Sequence, residues 1–363
     1  MRKILVLAPA LLAASALLAP KARAAGPGDA MPAFVGISQW FNTKKPLTPE
    51  SLKGKVVLVD FWTYSCVNCL RTLPHLEAWH KRYAPYGFVI VGVHSPEFSF
   101  EKQADNVRMA LKKYGITYPV AMDNDLKTWD AYQNHYWPAH YFIDRKGVIR
   151  YVHFGEGDYA QSEGHIRELL EEGGAKISAV KAGGRASRPP LEDASAGGGG
   201  AKTQLPDAVD FALINSPEMY LGYSRQEYMG NSEIISPGKS QDFKAPAAKD
   251  YALNHFYLDG RWIVTREFAR AEAPGAEIIL VFDASRANLV LGAATPVEAE
   301  IFLDGKPETA ANKGRDVRLS RGRATCLISR PRLYNLSHAP YGQHVIVIKF
   351  LSPGARAYAF TFG

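Results

Sequence analysis

The sequence predicts an α/β domain followed by an all-β sandwich domain of jelly-roll type. Three observations predict it. Between about residues 30 and 173, strand-like apolar runs alternate with segments of helical spacing. From about 206 to 363, short aromatic and β-branched runs recur between turn signals, with almost no helical spacing. The stretch 174–205 between them is rich in Gly, Ala, Ser and Lys, with Pro189-Pro190 and four glycines at 197–200. Such a composition buries too little surface to order itself, so two tethered units are expected.

The chain opens with Arg2 and Lys3, an apolar stretch from Ile4 to Leu18, and the small-residue pattern Ala22-Arg23-Ala24. This reads as a secretory signal peptide over 1–24, shorter than the ~20 apolar residues of a membrane span. The mature protein is expected to be soluble and exported, periplasmic or extracellular, where disulfides form. Removing the leader takes away four cations and no acid, which lowers the formal +7 to +3. The remaining Lys and Arg are scattered among acids, without the basic helix or basic–aromatic interleaving of a nucleic-acid binder.

Within the first unit, Val56 to Trp62 is a continuous apolar run with Asp60 near its end, the pattern of a buried strand. Cys66-Val67-Asn68-Cys69 follows, and then a helical pattern through Tyr83. Phe88 to Val93 is a second buried strand. Phe100, Ala104, Val107 and Leu111 then mark a helix stopped by Gly115. Val120 to Met122 is a short strand, and Leu126, Trp129 and Tyr132 mark a helix. Tyr141 to Ile143 and Val148 to Phe154 flank the turn Asp144-Arg145-Lys146-Gly147, and a last helix carries Ile166, Leu169 and Leu170. In the second unit, strands are expected at Tyr251 to Leu258, Trp262 to Phe268, Ile278 to Phe282, Val297 to Leu303 and Val345 to Leu351. Asp259-Gly260, Pro274-Gly275, Asp304-Gly305 and Ser352-Pro353-Gly354 are read as the turns between them.

A Cys-x-x-Cys at a strand-to-helix transition puts its first sulfur at the helix N-terminus, where unpaired N–H groups and the dipole favour a thiolate. Cys66 is therefore the expected nucleophile and Cys69 the resolving thiol. Half a zinc site is the rival reading, but the only other cysteine is distant Cys326 and no His stands at a finger-like spacing. The ten histidines form no ligand set by spacing, and neither a metal nor a cofactor is implied. Ala324 to Ile328 reads as a buried strand, which makes Cys326 an inert core thiol.

The first unit resembles the thioredoxin superfamily. Asp60 lies six residues before Cys66, Pro74 five after Cys69, and Trp137-Pro138-Ala139-His140-Tyr141-Phe142-Ile143 fits the family's cis-proline loop. The extra strand and helix resemble the TlpA and ResA type. The wider runs Asp60 to Cys69, Gly92 to Phe98 and His153 to Tyr159 resemble the exported C-terminal part of DipZ-type proteins, which join a thioredoxin-like domain to a β-sandwich like a carbohydrate-binding module.

The resemblance implies protein dithiol or disulfide substrates and the direction of a reductant. It also implies a separate membrane electron donor and a glycan ligand of the sandwich. It places Asp60 beneath Cys69 as proton acceptor and gives Pro138 a cis bond that offers its loop backbone to a substrate chain. Glu97 reads either as an acid that approaches the cysteines, as in TlpA and ResA, or as a solvated loop acid. Trp62 and Tyr64 flank the site, Trp62 as packing over Cys69 and Tyr64 as a substrate contact. Trp137 either shapes the substrate groove or packs.

Two other functions compete. Thr63-x-x-Cys66 mimics part of a peroxiredoxin pocket, although Val59 stands where that family has proline. A glycan- or partner-binding protein would instead use second-unit aromatics such as Tyr220, Tyr223, Tyr228, Tyr251 and Trp262.

Overall fold

A computed structural model describes residues 24–177 and 209–363. Residues 1–23 and 178–208 lie outside the described residues, and with them nearly all of the signal peptide expected over 1–24 and most of the linker expected over 174–205.

The first unit is built from β1 (Gln39–Phe41), α1 (Pro49–Leu52), β2 (Val56–Trp62), α2 (Val67–Tyr83), β3 (Phe88–His94), α3 (Ala104–Tyr114), β4 (Val120–Met122), α4 (Lys127–Ala131), β5 (Ala139–Ile143), β6 (Ile149–Phe154) and α5 (Tyr159–Glu172). The sheet order is β1-β4-β3-β2-β5-β6. Strands β2, β3 and β4 are parallel, and the others join antiparallel. Strand β2 is central and buried along all seven residues, as its uninterrupted apolar run requires when both faces are covered. Alternation sends Val57, Val59 and Phe61 to one core with Tyr132 and Tyr141, and Leu58 and Trp62 to the other with Leu70, Leu73 and Leu76 of α2. Strand β1 and the one-turn α1 are additions to the sequence reading. They are too short to show a period, and α1 is defined by its Thr48 cap and Pro49.

The second unit is two antiparallel sheets joined through one strand. One sheet runs Val317–Ser320, Arg323–Ile328, Val297–Leu303, Gln343–Phe350, Glu277–Asp283 to His255–Val264. The other continues from His255–Val264 through Ala269–Ala271, Arg356–Phe362 and Arg286–Gly292 to Arg332–His338. Their inner faces enclose a core that includes Trp262, Leu280, Leu289, Ile301, Ile346 and Phe360. Asp259-Gly260 is therefore not the turn expected there. Residues 255–259 pair with Glu277–Val281, while 260–263 pair with Ser240–Phe243. Gly260, at φ +87°, lets the chain bend from one sheet into the other; a Cβ there would sit 3.3 Å from Ala276 Cα.

The expectation of two merely tethered units is corrected by the packing. Strand Arg356–Phe362 is buried on both faces: Phe360 and Phe362 enter the sandwich core, whereas Tyr358 and Ala359 join the core of the first unit that lies under α2. Tyr358 packs its ring 5.1 Å from Phe98 and 4.8 Å from Phe100. Val290 and Leu333 join Val67 and Leu70 in the same cluster. Polar contacts fasten the seam: Ser99 N–H and Oγ–H donate to Glu267, and Arg71 reaches the Phe362 carbonyl. Burying Tyr64, Phe98 and Phe100 by docking stabilises the pair as a unit.

We expect Tyr358→Ala to cost about 3 kcal/mol, in the range of large-to-small core changes, and calorimetry of the full chain to show one transition. Two transitions, with only the sandwich's shifted by the substitution, would contradict the shared core. A chain cut near Gly173 should bind an apolar dye that the full chain excludes.

Candidate active site

The site begins where β2 passes into α2. Thr63-Tyr64-Ser65 make the turn, and Cys66 is the N-cap of α2. Its Sγ accepts the N–H of Cys69 at 3.1 Å, taking the place an oxygen holds in common caps. No acid stands in the first turn of α2 to offset the positive end of its dipole. The Cys66–Cys69 disulfide spans a Cα–Cα distance of 5.3 Å. Cys66 is half-buried, whereas Cys69 is 1% exposed among the side chains beneath α2. The two sulfurs are thus unequal: one faces outward and the other is shielded.

Opposite Cys66 lies the loop before β5. The Trp137–Pro138 peptide is cis, and the Trp137 carbonyl oxygen is 4.0 Å from Cys66 Sγ. The Trp137 indole donates to the Ser95 carbonyl at 3.0 Å and its ring lies 4.1 Å from that of Trp129. Asp123 fixes both supports, accepting from Ser95 Oγ–H and from the Thr128 and Trp129 N–H groups. A cavity of about 270 Å³ opens over Cys66, lined by Asn68, Glu97, Trp137 and, from the β domain, Glu218 and Tyr220.

Three acids surround this junction. Asp60 is 1% exposed and, by alternation with Leu58 and Trp62, faces the side that α2 and Cys69 cover. Its cross-strand neighbour is His140, whose Nε2 lies 3.3 Å from Asp60 Oδ1. His140 pairs in turn with His153 across β5 and β6, ring planes 6° apart. Glu97 stands at the rim of the cavity, paired with Arg225 at 2.8 Å and accepting from the Tyr220 hydroxyl at 2.7 Å. Of the two readings of Glu97, the solvated loop acid does not fit these contacts.

The third acid, Glu101, escaped the sequence reading. It is fully buried beneath the turn, accepting from Ser65 Oγ–H at 2.6 Å and from the Glu97 and Phe98 N–H groups at 2.7 and 3.0 Å. Burial first, then the neighbouring Glu97 carboxylate, pushes its pKa up to about 7. The signal was thin: one acid in Ser-Phe-Glu-Lys, a short 3-10 turn that curls back under the loop. His140 was likewise read only as part of the proline loop.

Trp62 packs in the same core cluster as Cys69, whereas Tyr64, expected as a substrate contact, does not line the cavity over Cys66. Trp62 is 0% and Tyr64 4% exposed, the latter stacked on His94 and touching Phe100. The β-branched and aromatic run around them is core, with Tyr64 turned toward the domain seam. His94 is held neutral, its pKa lowered to about 3 by burial, and lies 3.3 Å from Thr63 Oγ1. Cys326 is buried at 1% exposure, with its thiol pushed up to about 12, burial first. Among the described residues, no cluster of three or more His, Cys, Asp or Glu side chains is placed to hold a metal ion. No helix among them is long and apolar enough to cross a membrane.

A Cys-x-x-Cys pair that caps a helix at the strand-to-helix junction and faces a cis-proline loop defines a thioredoxin-like domain. Residues 27–152 match the AhpC/TSA family, and residues 216–363 match the thioredoxin like C-terminal domain. Over 285 residues the chain is 37% identical to Protein DipZ of Mycobacterium tuberculosis, covering 78% of this chain and 38% of DipZ. It therefore spans well under half the length of that relative. Thiol-disulfide oxidoreductase YkuV of Bacillus subtilis is 29% identical over 143 residues, 39% of this chain and 95% of YkuV. Thiol-disulfide oxidoreductase ResA of Halalkalibacterium halodurans is 30% identical over 124 residues, 34% of this chain and 64% of ResA.

Glu101 makes a pH prediction. A carboxyl whose folded pKa is raised from 4.5 to about 7 binds more protons folded than unfolded across that window, so stability falls as pH rises through it. Glu101→Gln keeps an oxygen for both N–H groups and cannot ionise. Denaturant melts from pH 4 to 8 should show the wild-type curve dropping relative to the variant between about pH 4.5 and 7. Parallel curves would contradict the burial of an ionising carboxyl.

Proposed function

We propose that the protein is an exported thiol–disulfide oxidoreductase that reduces disulfides of partner proteins through Cys66 and Cys69. The observation that carries this reading is the inequality of the two sulfurs, one capping α2 at a cavity and the other shielded beneath it. The Cys66 thiolate attacks a partner disulfide; that S–S bond breaks, a mixed disulfide forms, and one partner thiolate leaves. Cys69 then gives its proton to Asp60 and attacks Cys66 Sγ. The intramolecular disulfide closes, the second partner thiolate leaves, and two electrons have passed to the partner. A separate membrane dithiol donor returns the two electrons.

Trp137 and Pro138 serve as the substrate-facing loop and Glu97 as the acid at the cavity rim. The leader and the resemblance to DipZ support export. A peroxidase reading is disfavoured because Thr63 is fully buried and turned to His94 rather than to the cavity at Cys66. A glycan ligand of the β domain stays a subsidiary part of the proposal. Of the aromatics named for it, Trp262 is in the core, Tyr228 packs partly buried against it, Tyr251 stacks on Tyr257, and Tyr220 is engaged at the seam, which leaves Tyr223 at 43% exposed.

The test is substrate trapping: Cys69→Ala should accumulate mixed disulfides through Cys66, and Cys66→Ser should accumulate none and lose reductase activity. Equal activity of Cys66→Ser and wild type would refute the assignment. Asp60→Asn should slow resolution of the mixed disulfide by about 10²–10⁴-fold, the usual worth of a general base, with less effect on its formation. Stopped-flow rates that change equally in both steps would move the proton elsewhere.

A further inference from the structure

The cavity over Cys66 is only half made by the redox domain. Its opposite wall is Glu218, Tyr220, Val290, Ala359 and Thr361 of the β domain. Past Tyr220, a second cavity of about 290 Å³ is lined by Gly222, Ser224, Arg225, Arg266 and Glu267. Glu97 and Tyr220 line both cavities and so form the partition between them.

The partition is built from side chains on a fixed backbone. Tyr220 lies on the short strand Met219–Tyr220, which pairs with Ala359 and Phe360. Its hydroxyl donates to Glu97 Oε1 at 2.7 Å and lies 3.1 Å from Glu218 Oε2. Arg225 pairs with the same Glu97 oxygen at 2.8 Å and covers the Tyr220 ring at 3.7 Å from its centroid. Arg225 is 39% exposed, so its side chain stays in contact with solvent while paired. Rotation of the Tyr220 and Arg225 side chains would join the two cavities without moving either domain.

The size of the space limits what reaches Cys66. Each cavity alone falls just below the ~300–1000 Å³ typical of ligand sites. Joined, about 270 and 290 Å³ make one narrow trough along the domain seam. A convex folded surface cannot bring a disulfide to a sulfur beneath this roof, whereas an extended chain, at about 3.3–3.6 Å per residue, can lie along it. The cis-proline loop supplies backbone on one side of the trough, and Ala359 and Thr361 of strand Arg356–Phe362 line the other.

We propose that the β domain completes the substrate site, that Tyr220 latched to Glu97 and Arg225 is its gate, and that the substrate is an extended polypeptide segment carrying the disulfide. This rests on the exchange chemistry proposed above and names the form of substrate that the same site takes.

The test uses the full chain and three disulfides: glutathione disulfide, an unstructured twelve-residue peptide dimer linked through one cysteine, and a folded protein with one surface disulfide of matched potential. Pre-reduced wild type should reduce the peptide dimer at least tenfold faster, by second-order rate constant in a single turnover, than the folded protein. Tyr220→Ala should cut that ratio at least fivefold by admitting the folded protein, and Arg225→Gln should cut it in the same direction. Melting curves of both variants establish that they are folded. Wild type that reduces glutathione disulfide but treats the two larger substrates alike would overturn the gate alone, as would folded variants with an unchanged ratio. Wild type that reduces none of the three would overturn the exchange chemistry itself.

Discussion

The start of α2 sits on the end of β2, and the placement of every reactive group follows from that junction. Because β2 pairs with β3 and β5 and feeds a core on each face, a shift of its register would break two ladders and repack two cores at once. The strand therefore fixes where the chain emerges at Thr63, and the turn carries Cys66 to the helix cap. A sulfur in the cap is held by the Cys69 N–H and by the helix dipole, while the next turn of the same helix is driven inward by Leu70, Leu73 and Leu76. One helix thus delivers one sulfur to a cavity and the other to the core. Asp60 shares that geometry, since alternation along β2 aims it at the same covered face.

A second constraint comes from the far end of the chain. The strand Arg356–Phe362 buries both faces, one in the sandwich and one against the redox domain, so the sandwich cannot pack fully by itself. Its docking places Tyr220, Glu218 and Ala359 over the dithiol. In this arrangement the β domain is part of the wall around Cys66 as well as a neighbour on a linker. The carboxylates respond to the enclosure: Glu97 finds a cation and a hydroxyl, and Glu101, without a cation, is pushed toward neutrality.

The parts of the fold that could be read from the sequence are those written in local patterns. The apolar run of β2, the Cys66–Cys69 spacing and the helical stripe of α3 each occupy one window of sequence. The structure places β2 and α2 within a residue or two of that reading, while Phe100, read into the α3 stripe, lies in a separate 3-10 turn at Ser99–Lys102. Asp259-Gly260 misled because the same two residues that close a hairpin also bend a continuous strand, and which happens depends on Ala276 and on strands far away in sequence. His140 and Glu101 were missed because their significance lies in partners, Asp60 and the Ser65 turn, that only the folded chain brings close. The seam was missed for the same reason. Tyr358 in Ala-Tyr-Ala-Phe-Thr-Phe looks like any sandwich residue, but the unbroken apolar run was itself the sign of a strand covered on both sides.

The central claim is that Cys66 and Cys69 alone exchange between dithiol and disulfide, with Cys326 inert in the core. Mass-tagged maleimide labelling of the native full chain, before and after mild reduction, tests it directly. The account predicts no tag on the oxidised protein and a fast tag at Cys66 on the reduced protein, with shielded Cys69 labelled more slowly and Cys326 only after unfolding. A third tag on the native reduced protein, or equal labelling in the two states, would contradict it.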